Sequence, residues 1–461
     1  RCAGLSGALT SQPCADTGAL ARYRVSRNSR DPVLSPRGDG MNSWLAKRPK
    51  VAWALYDWAN SAFATTVLAG FFPAFFRQFW SLGTDPTEAT FRLGLANGAA
   101  GFLMAVMAPL LGAIADRGGH RVRFVVGWSL LGIAATTALY FVGQGQWVLA
   151  AVLFTLGTLG FNGGVVFYDA LLVDVAKPAE YDRVSAMGYS FGYLGGGMLF
   201  ALNVLMVVKP AWFGLANAAA AVQVSFLTVA VWWLLFMLPL AFHVKEQPGT
   251  GGVGGLRANF AQLRSTLRFV VSHRQMLTFL LAYWLYIDGV NTIVKMAVDY
   301  GMALGFKTDQ LLAALLLTQF VAFPAALVFG RIGERHGARA GVLIGLVVYT
   351  GVTCWAYVLK TPAEFFAVAV AVGLVQGGVQ SLSRSFFGRL VPEGRSAEFF
   401  GFFNMVGKFG TVLGPILMGT VALLTGDPRS SILSLVLLFG VGGLLLQRVR
   451  DPLSQSGGAT P

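Results

Sequence analysis

Twelve apolar segments recur along this 461-residue chain, each about twenty residues long. A helix of that length crosses the roughly 30 Å hydrocarbon core of a bilayer. A membrane barrel is excluded, because its strands would be about ten residues long with strict apolar and polar alternation. Only 12% of the residues are charged, about half the share of a soluble domain, which excludes a soluble enzyme. The sequence therefore predicts an all-α polytopic membrane protein with twelve transmembrane helices.

The segments divide into two groups of six. We place the spans at 51–76, 93–114, 124–142, 147–171, 185–208, 218–242, 276–298, 311–329, 340–359, 365–382, 400–424 and 432–446. The predicted domains are a disordered tail (1–40), an N-terminal bundle (41–243), a linker with an amphipathic helix on the membrane surface (244–275), a C-terminal bundle (276–450) and a second disordered tail (451–461).

Charge is distributed unevenly between alternate loops. Most Lys and Arg residues after Met41 fall in the loops on one side, and few fall in the loops on the other. Cytoplasmic loops carry this excess, so both termini are expected to be cytoplasmic. The formal net charge of +14 is explained by this topology signal, and no nucleic-acid partner is expected. The high Arg, Ala and Gly content favours a bacterial cytoplasmic (inner) membrane.

A repeated loop relates the two halves. The pattern Gly-x-x-x-acid-Arg-x-Gly-x-Arg begins at Gly112 after the second span and again at Gly330 after the eighth, a displacement of 330 minus 112, or 218 residues. Its charged positions, which we predict to form a cytoplasmic gate, are Asp116, Arg117, Arg121, Glu334, Arg335 and Arg339. The alternative is that these charges only set topology. Parallel repeats of six spans are typical of carriers in which two bundles rock about a central site.

A second, weaker repeat places polar residues inside spans. Asp57 and Asn60 lie on one face of the first span, and Asp288, Asn291 and Lys295 repeat this pattern in the seventh. Ionisable groups in a membrane are costly, so each needs a reason. We predict that both stripes line a central cavity; the alternative is that they only hold helices together.

Two further predictions concern charge pairs. Asp169, near the cytoplasmic end of the fourth span, and Arg384, near that of the tenth, occupy nearly equivalent positions in the two halves, which predicts an ion pair that closes the gate. Lys295 and Lys408 are possible counter-charges for Asp57 and Asp288. Asp57 has no basic neighbour on its own helix and is therefore the stronger candidate for a proton carrier.

These features resemble the major facilitator superfamily, whose mark is the repeated glycine, acid and arginine loop. Within it, three stretches resemble the vacuole-effluxer-like family: Tyr56-Asp-Trp-Ala-Asn-Ser-Ala-Phe63, Phe167-Tyr-Asp-Ala-Leu-Leu-Val-Asp174, and Gln376 to Ser385 followed by Phe400-Gly-Phe-Phe-Asn404. The resemblance implies two pseudo-symmetric six-helix bundles and, from the fungal members, amino-acid export. Lys408 is also comparable with a position in the cation symporters of glycosides, but those carriers bind sodium through carboxylates in the second span, and 93–114 has none.

We therefore expect a secondary active transporter that exports amino acids or similar small polar solutes by alternating access. The alternatives are a cation-coupled symporter of sugars or organic solutes and a non-transporting membrane sensor or scaffold. No enzyme is expected, since no Walker sequence, catalytic triad or metal motif is present. We expect no cofactor apart from a coupling proton, and a monomer whose partners are a small-molecule substrate and the lipid bilayer.

Overall fold

The structure, a computed structural model, describes residues 39–246, 256–409, 413–425 and 428–451. The expected disordered tails therefore lie outside the described residues, except for a few positions at their inner ends. Contacts divide the chain into two units, residues 1–45 and 46–461. The described part of the first unit is the beginning of the first helix. All other described residues belong to the second unit.

The N-terminal half contains six spans built from eight α-helices. In the first span, π-helical segments (Phe63–Phe71 and Phe76–Trp80) flank the short helix α2. The helices are α1 (Asp39–Ala62), α2 (Phe72–Phe75), α3 (Pro86–Gly118), α4 (Arg121–Leu139), α5 (Trp147–Ala170), α6 (Leu172–Val175), α7 (Tyr181–Val208) and α8 (Ala218–His243).

The C-terminal half follows the linker helix α9 and again contains six spans. The eleventh span is described as two helices, α14 and α15, on either side of residues 410–412, which lie outside the description. The helices are α9 (Leu256–Ser272), α10 (Arg274–Ala303), α11 (Thr308–His336), α12 (Ala338–Val358), α13 (Pro362–Leu390), α14 (Ser396–Phe409), α15 (Leu413–Thr425) and α16 (Pro428–Gln447).

Local sequence explains several of the helix boundaries. Asn217 caps α8, because its side-chain oxygen accepts a hydrogen bond from the backbone N–H of Ala220 at 2.9 Å. Thr361 caps α13 in the same way, and Pro362 occupies the first helical position, where a missing N–H costs nothing. Gly337 separates α11 from α12 with a φ of 84°, a conformation that favours glycine.

Among the described residues, twelve helical segments are long and apolar enough to cross a membrane. The predicted number of spans and the all-helical class are confirmed, and no strand occurs in the ranges described. Exposed leucine, valine and phenylalanine side chains are numerous on these helices, as expected for surfaces that face lipid rather than water. The chain is therefore an integral membrane protein.

Five helices form most of the joint between the halves. Helix α3 packs against α14, and α7 packs against α11 and α13. The backbones approach closely at glycines: a Cβ atom on Gly112 would lie 2.3 Å from the carbonyl oxygen of Ala397, and one on Gly401 would lie 2.7 Å from that of Ala108. Such distances admit no side chain, so α3 and α14 can meet along this line only because both positions are glycine.

Candidate functional site

Arg384 lies at the centre of the joint. It belongs to α13 and is almost completely buried. Its Nη1 atom lies 3.0 Å from Oδ1 of Asp169 and 3.5 Å from Oδ2 of Asp57. Its Nε atom donates to the Ser185 hydroxyl and its Nη2 atom to the Ser185 carbonyl, each at 2.9 Å. The predicted contact between Asp169 and Arg384 is therefore formed, and Asp57 shares the same cation.

The two carboxylates are held differently. The Oδ2 atom of Asp169 accepts a hydrogen bond from Nδ2 of Asn404 at 3.1 Å, while Oδ2 of Asp57 accepts one from the Tyr168 hydroxyl at 2.9 Å. The Asp57 side chain is 13% exposed and the Asp169 side chain 6%. Asp57 is thus both the more accessible carboxylate and the one farther from the guanidinium group.

Aromatic rings surround the guanidinium group. The Cζ atom of Arg384 lies 4.3 Å from the ring centre of Tyr189 and 4.8 Å from that of Trp53. Trp53 stacks on Tyr168 and donates its indole N–H to the Tyr168 carbonyl at 2.9 Å. Faces of aromatic rings attract a cation at these distances, and the rings cover the guanidinium group. The Arg384 cluster, defined here as Asp57, Tyr168, Asp169, Ser185, Arg384 and Asn404, is therefore a largely buried charge cluster inside the joint.

The N-terminal copy of the repeated loop also binds across the joint. Asp116 accepts hydrogen bonds from the backbone N–H groups of Ala397 and Glu398, at 3.0 and 2.8 Å. Both N–H groups belong to the first turn of α14, where unpaired N–H groups and the helix dipole favour a negative charge. Arg121 donates to Asp116 at 2.8 Å and to Asp174 at 2.7 Å. Asp116 and Arg121 thus form a buried connection from α3 to α14.

The C-terminal copy of the repeated loop is more exposed. Glu334 is 29% exposed and lies 3.7 Å from Arg183, whose side chain is 62% exposed. Arg335 is exposed, and Arg339 donates within its own half, to the carbonyl of Val449 at 2.9 Å. Beside this loop, Asp182 of α7 takes the close contacts instead: it binds Arg389 at 2.7 Å and accepts from the Ser385 hydroxyl. The side chain of Arg117, in the N-terminal copy, lies outside the described residues.

The two polar stripes have different surroundings. Asn60 is buried near Asp57, and Asn291 is half-buried on α10. Asp288 is buried and accepts hydrogen bonds from the backbone N–H of Gly414 at 3.0 Å and, more weakly, from Thr292. Asp57 contacts the opposite half, whereas these contacts of Asp288 stay within its own half.

The structure shows a counter-charge to Asp57 that the sequence did not suggest. Arg384 approaches it from the opposite half, a contact that spacing along one helix cannot reveal. Lys408 is half-buried and interacts electrostatically with Asp169. The side chain of Lys295 lies outside the described residues, so its predicted contact with Asp288 stays a prediction.

Glu246 lies just after α8, at the end of the N-terminal half. Its Oε2 atom accepts a hydrogen bond from the backbone N–H of Val122 at 3.1 Å, at the start of α4. Burial raises the pKa of this carboxyl, and the hydrogen bond from Val122 opposes the shift. Asp451, just after α16, has a corresponding position: a Cβ atom on Gly337, before α12, would lie 2.9 Å from its Oδ2 atom.

Several residues that form these contacts were not predicted from the sequence. Tyr168, Asp174, Ser385 and Asn404 stand within the stretches that resemble the vacuole-effluxer-like family, so a signal for them was present. Asp182, Arg389 and Glu398 gave no comparable signal, because they are charged residues near loops and look like topology determinants. Glu398 is buried and binds the linker helix through Gln262 at 2.9 Å and Thr266 at 2.5 Å.

Twelve spanning helices in two halves, joined by ion pairs at one end, define a transporter of the major facilitator superfamily. The chain belongs to the family described as "Vacuole effluxer Atg22 like", which matches residues 93–453. It is 36% identical over 406 residues to the uncharacterized MFS-type transporter YxiO of Bacillus subtilis, and the match covers 87% of this chain and 95% of that protein.

Fungal relatives and solved structures are more distant. Autophagy-related protein 22 of Yarrowia lipolytica is 27% identical over 300 residues, which cover 57% of this chain and 50% of that protein. The chain thus spans about half the length of that relative. Among solved structures, the proton:xylose symporter XylE matches with a TM-score of 0.69 at 11% identity, over 89% of this chain and 97% of that one. The human organic anion transporter MFSD10 matches with a TM-score of 0.66 at 16% identity, over 87% and 99%. At these identities the likeness concerns the fold.

Proposed function

We propose that this transporter exports amino acids or other small zwitterionic solutes from the cytoplasm by alternating access. It acts as a monomer in a bacterial cytoplasmic membrane, with both termini inside the cell. The effluxer description of the family supports the direction, and the bacterial relative supports the membrane. Under this orientation the end that carries the repeated loops is cytoplasmic, and the ion pairs there hold the cytoplasmic side closed.

The proposed substrate class rests on the charges of the Arg384 cluster. A zwitterion needs a cation for its carboxylate and an anion for its ammonium group within a few ångströms of each other. Arg384 and Asp57 offer this combination, with Nη1 and Oδ2 3.5 Å apart. The surrounding aromatic rings lower the local polarity, so that an added charge interacts more strongly there than in water. A neutral sugar would leave both charges without a matching group.

The same contacts suggest how binding drives the cycle. When the cytoplasmic side opens, α7 and α13 separate, and Arg384 loses Asp169 and Ser185. A substrate carboxylate can replace these partners of Arg384, and the substrate ammonium group can bind Asp57. The substrate therefore offsets the cost of exposing buried charges to a partly dehydrated cavity, and its release on the outside lets the internal pairs form again.

Proton coupling is proposed at Asp57. Two carboxylates contact the single guanidinium group of Arg384. Asp169 has further favourable partners in Asn404 and Lys408, whereas Asp57 adds the Tyr168 hydroxyl. Asp57 is therefore the carboxylate whose negative charge is less well balanced and which a proton can reach more easily. Because a protonated Asp57 no longer offers an anion to the substrate ammonium group, a proton and the substrate would compete for this carboxylate, as exchange of one for the other requires.

Transport assays in membrane vesicles test this proposal. Right-side-out and inverted vesicles containing the full-length protein are given radiolabelled amino acids and, in parallel, sugars, with a pH gradient of either sign. We expect amino-acid accumulation in inverted vesicles when their interior is acidic. Accumulation of sugars but not amino acids would favour the symporter alternative and overturn the proposed substrate class.

Variants of the two stripe aspartates separate coupling from binding. Asp57→Asn is expected to abolish transport driven by a pH gradient while exchange of substrate across the membrane continues at lower affinity, because the asparagine oxygen can still accept a hydrogen bond from the substrate ammonium group but cannot carry a proton. Asp288→Asn is the matched control in the other half. Since Asp288 binds Gly414 and Thr292, we expect it to weaken folding or binding but to leave proton-driven transport detectable. Full pH-driven transport in Asp57→Asn would exclude Asp57 as the proton carrier.

A further inference from the structure

A cleft lies between the beginning of α10 and the segment that follows α16, at the end of the molecule that carries the repeated loops. It is lined by Arg274, Gln275, Thr278, Leu445, Arg448 and Arg450. Three guanidinium groups thus surround one opening, with a threonine hydroxyl and a glutamine amide beside them. The recorded ion pairs of the described residues include none of these arginines.

The backbone around the cleft is held in place. Leu446, shortly before Arg448, and Val449, between Arg448 and Arg450, are both buried. The carbonyl of Val449 accepts from Nη1 of Arg339 at 2.9 Å, and Gln275 Oε1 accepts from the backbone N–H of Arg450 at 2.8 Å. Arg448 and Arg450 therefore project from a segment that is tied to α10 and α12. A ligand would not have to order this segment, which lowers the entropic cost of binding.

The arginines continue two surfaces that face lipid. On α16, Leu437 is 61% exposed and Leu444 62% exposed, and Arg448 stands in the turn that directly follows Gln447, the last residue of this helix. On α10, Leu281 is exposed, and Arg274 and Thr278 precede it by two turns and one turn. The cleft thus lies where these exposed apolar stripes end, which is where the headgroups of a surrounding bilayer would begin.

We propose that this cleft binds the phosphate of an anionic phospholipid in the leaflet on that side. Guanidinium groups bind phosphate oxygens through paired, charge-assisted hydrogen bonds, and basic pockets between transmembrane helices are typical lipid headgroup sites. The acyl chains would lie along the exposed leucines of α10 and α16, which a soluble phosphate could not use. This site is independent of the Arg384 cluster and of the proposed substrate.

Native mass spectrometry of the full-length protein tests the lipid site. The detergent-purified protein is titrated with dioleoylphosphatidylglycerol or with dioleoylphosphatidylcholine, which has the same acyl chains. We expect one phosphatidylglycerol molecule to be retained at about tenfold lower concentration than phosphatidylcholine. The variant Arg274→Gln, Arg448→Gln, Arg450→Gln should reduce this preference to about twofold or less.

A matched control removes the same charge elsewhere on this end. The variant Arg264→Gln, Arg268→Gln, Arg331→Gln changes three exposed arginines outside the cleft and should keep the preference. Equal losses in both triple variants would overturn the proposal, since they would reflect general attraction to anionic lipid. If the cleft variant is not monodisperse on gel filtration, Arg448→Gln alone is measured, and an unchanged preference in it would overturn the proposal as well.

Inorganic phosphate distinguishes the two sources of the ligand. Thermal unfolding is followed with sodium phosphate and with dioleoylphosphatidylglycerol, each against chloride at equal ionic strength. We expect the lipid to raise the unfolding temperature of the wild-type protein but not of the cleft variant, and phosphate to have little effect. If phosphate stabilises the protein as much as the lipid does, and through the same three arginines, the site binds a soluble anion and the lipid assignment is wrong.

Discussion

The N-terminal half brings carboxylates to the joint between the bundles, whereas the C-terminal half brings guanidinium and backbone N–H groups. Asp57, Asp169 and Asp182 bind Arg384 and Arg389. Asp116, in the same half, accepts from the first N–H groups of α14. The reverse arrangement, a cation of the N-terminal half with an acid of the C-terminal half, occurs at Arg183 and Glu334, which are more exposed and 3.7 Å apart.

The two copies of the repeated loop show the same difference. Asp116 is 1% exposed and Glu334 29% exposed, although they occupy corresponding positions in the repeat. Arg121 binds two buried aspartates, while the corresponding Arg339 binds backbone carbonyls of its own half. The same sequence pattern therefore has different partners in its two copies: Asp116 of the N-terminal copy is buried at the joint, whereas Glu334 of the C-terminal copy contacts the opposite half through the more exposed pair with Arg183 at 3.7 Å.

The largest effect is expected at Arg384. Arg384→Gln leaves Asp57 and Asp169 buried without their shared cation, and the loss of one partner of a buried pair costs about 3 to 5 kcal/mol. We expect a roughly 100-fold loss of amino-acid exchange in reconstituted vesicles and a lower unfolding temperature in detergent.

Arg183→Gln is the control for Arg384→Gln. It also removes a cation at the joint, but an exposed one, and exposed pairs contribute about 0 to 1 kcal/mol. We expect exchange within about threefold of the wild type. Similar losses in the two variants would mean that the buried pairs, with their acids in the N-terminal half, matter no more for transport than the exposed pair of opposite arrangement.

Reversing both charges of the pair between Asp169 and Arg384 should partly restore exchange, by less than the single substitutions reduce it. The double variant Asp169→Arg, Arg384→Asp restores attraction between the two positions, so some of the exchange lost in either single variant should return. The new carboxylate would also face Asp57, now 3.5 Å from the guanidinium group, and like charges repel at that distance. Addition of Asp57→Asn should therefore improve the recovery. A double variant no better than the worse single variant, with or without Asp57→Asn, would contradict a direct electrostatic contact.

The two loop acids compare the copies directly. Asp116→Asn loses a negative charge at the N-terminus of α14 and one partner of Arg121, and we expect about a tenfold loss of exchange. Glu334→Gln changes a half-exposed group with one distant cation, and we expect a change within about twofold. Initial rates of counterflow in the same vesicles measure both. A larger effect at Glu334 than at Asp116 would reverse the assignment of the two loops.

Much of the fold was readable from the sequence because membranes constrain it so strongly. Twenty-residue apolar segments can only be helices in lipid, so their number followed directly. The contact between Asp169 and Arg384 was predicted from the approximate superposition of the two halves.

The chemistry of the joint was less predictable. The two polar stripes have different partners, because which neighbouring helix an aspartate contacts depends on the rotation of its own helix, and a sequence pattern of period 3.6 does not fix that rotation. Asp57 contacts Arg384, but Asp288 accepts from Gly414. Ser185 and Asp182 were missed for a related reason: each acts through a helix-to-helix distance of a few ångströms that no spacing within one segment encodes.

The smallest effect is expected at Glu246, which belongs to the N-terminal half but lies outside the spans. Burial raises the pKa of its carboxyl in the folded protein, so the folded state holds the proton more tightly than the unfolded chain does. This contribution to stability is present below the unfolded pKa and is lost as pH rises through the raised folded pKa. Because the side chain is only half-buried, the effect should stay below about 1 kcal/mol.

Glu246→Gln isolates this contribution. A glutamine keeps an oxygen that can accept from the Val122 N–H but cannot ionise. The unfolding temperature of the wild type should therefore fall relative to the variant as the pH is raised from the acidic range to above neutrality, while the two proteins behave alike at low pH. Exchange rates should be unchanged, since Glu246 contacts the start of α4 and not the joint. A wild type that gains stability over the variant with rising pH would mean that the charged carboxylate is favoured by Arg121 and the N-terminus of α4, and would extend the electrostatic network of the first loop to this residue.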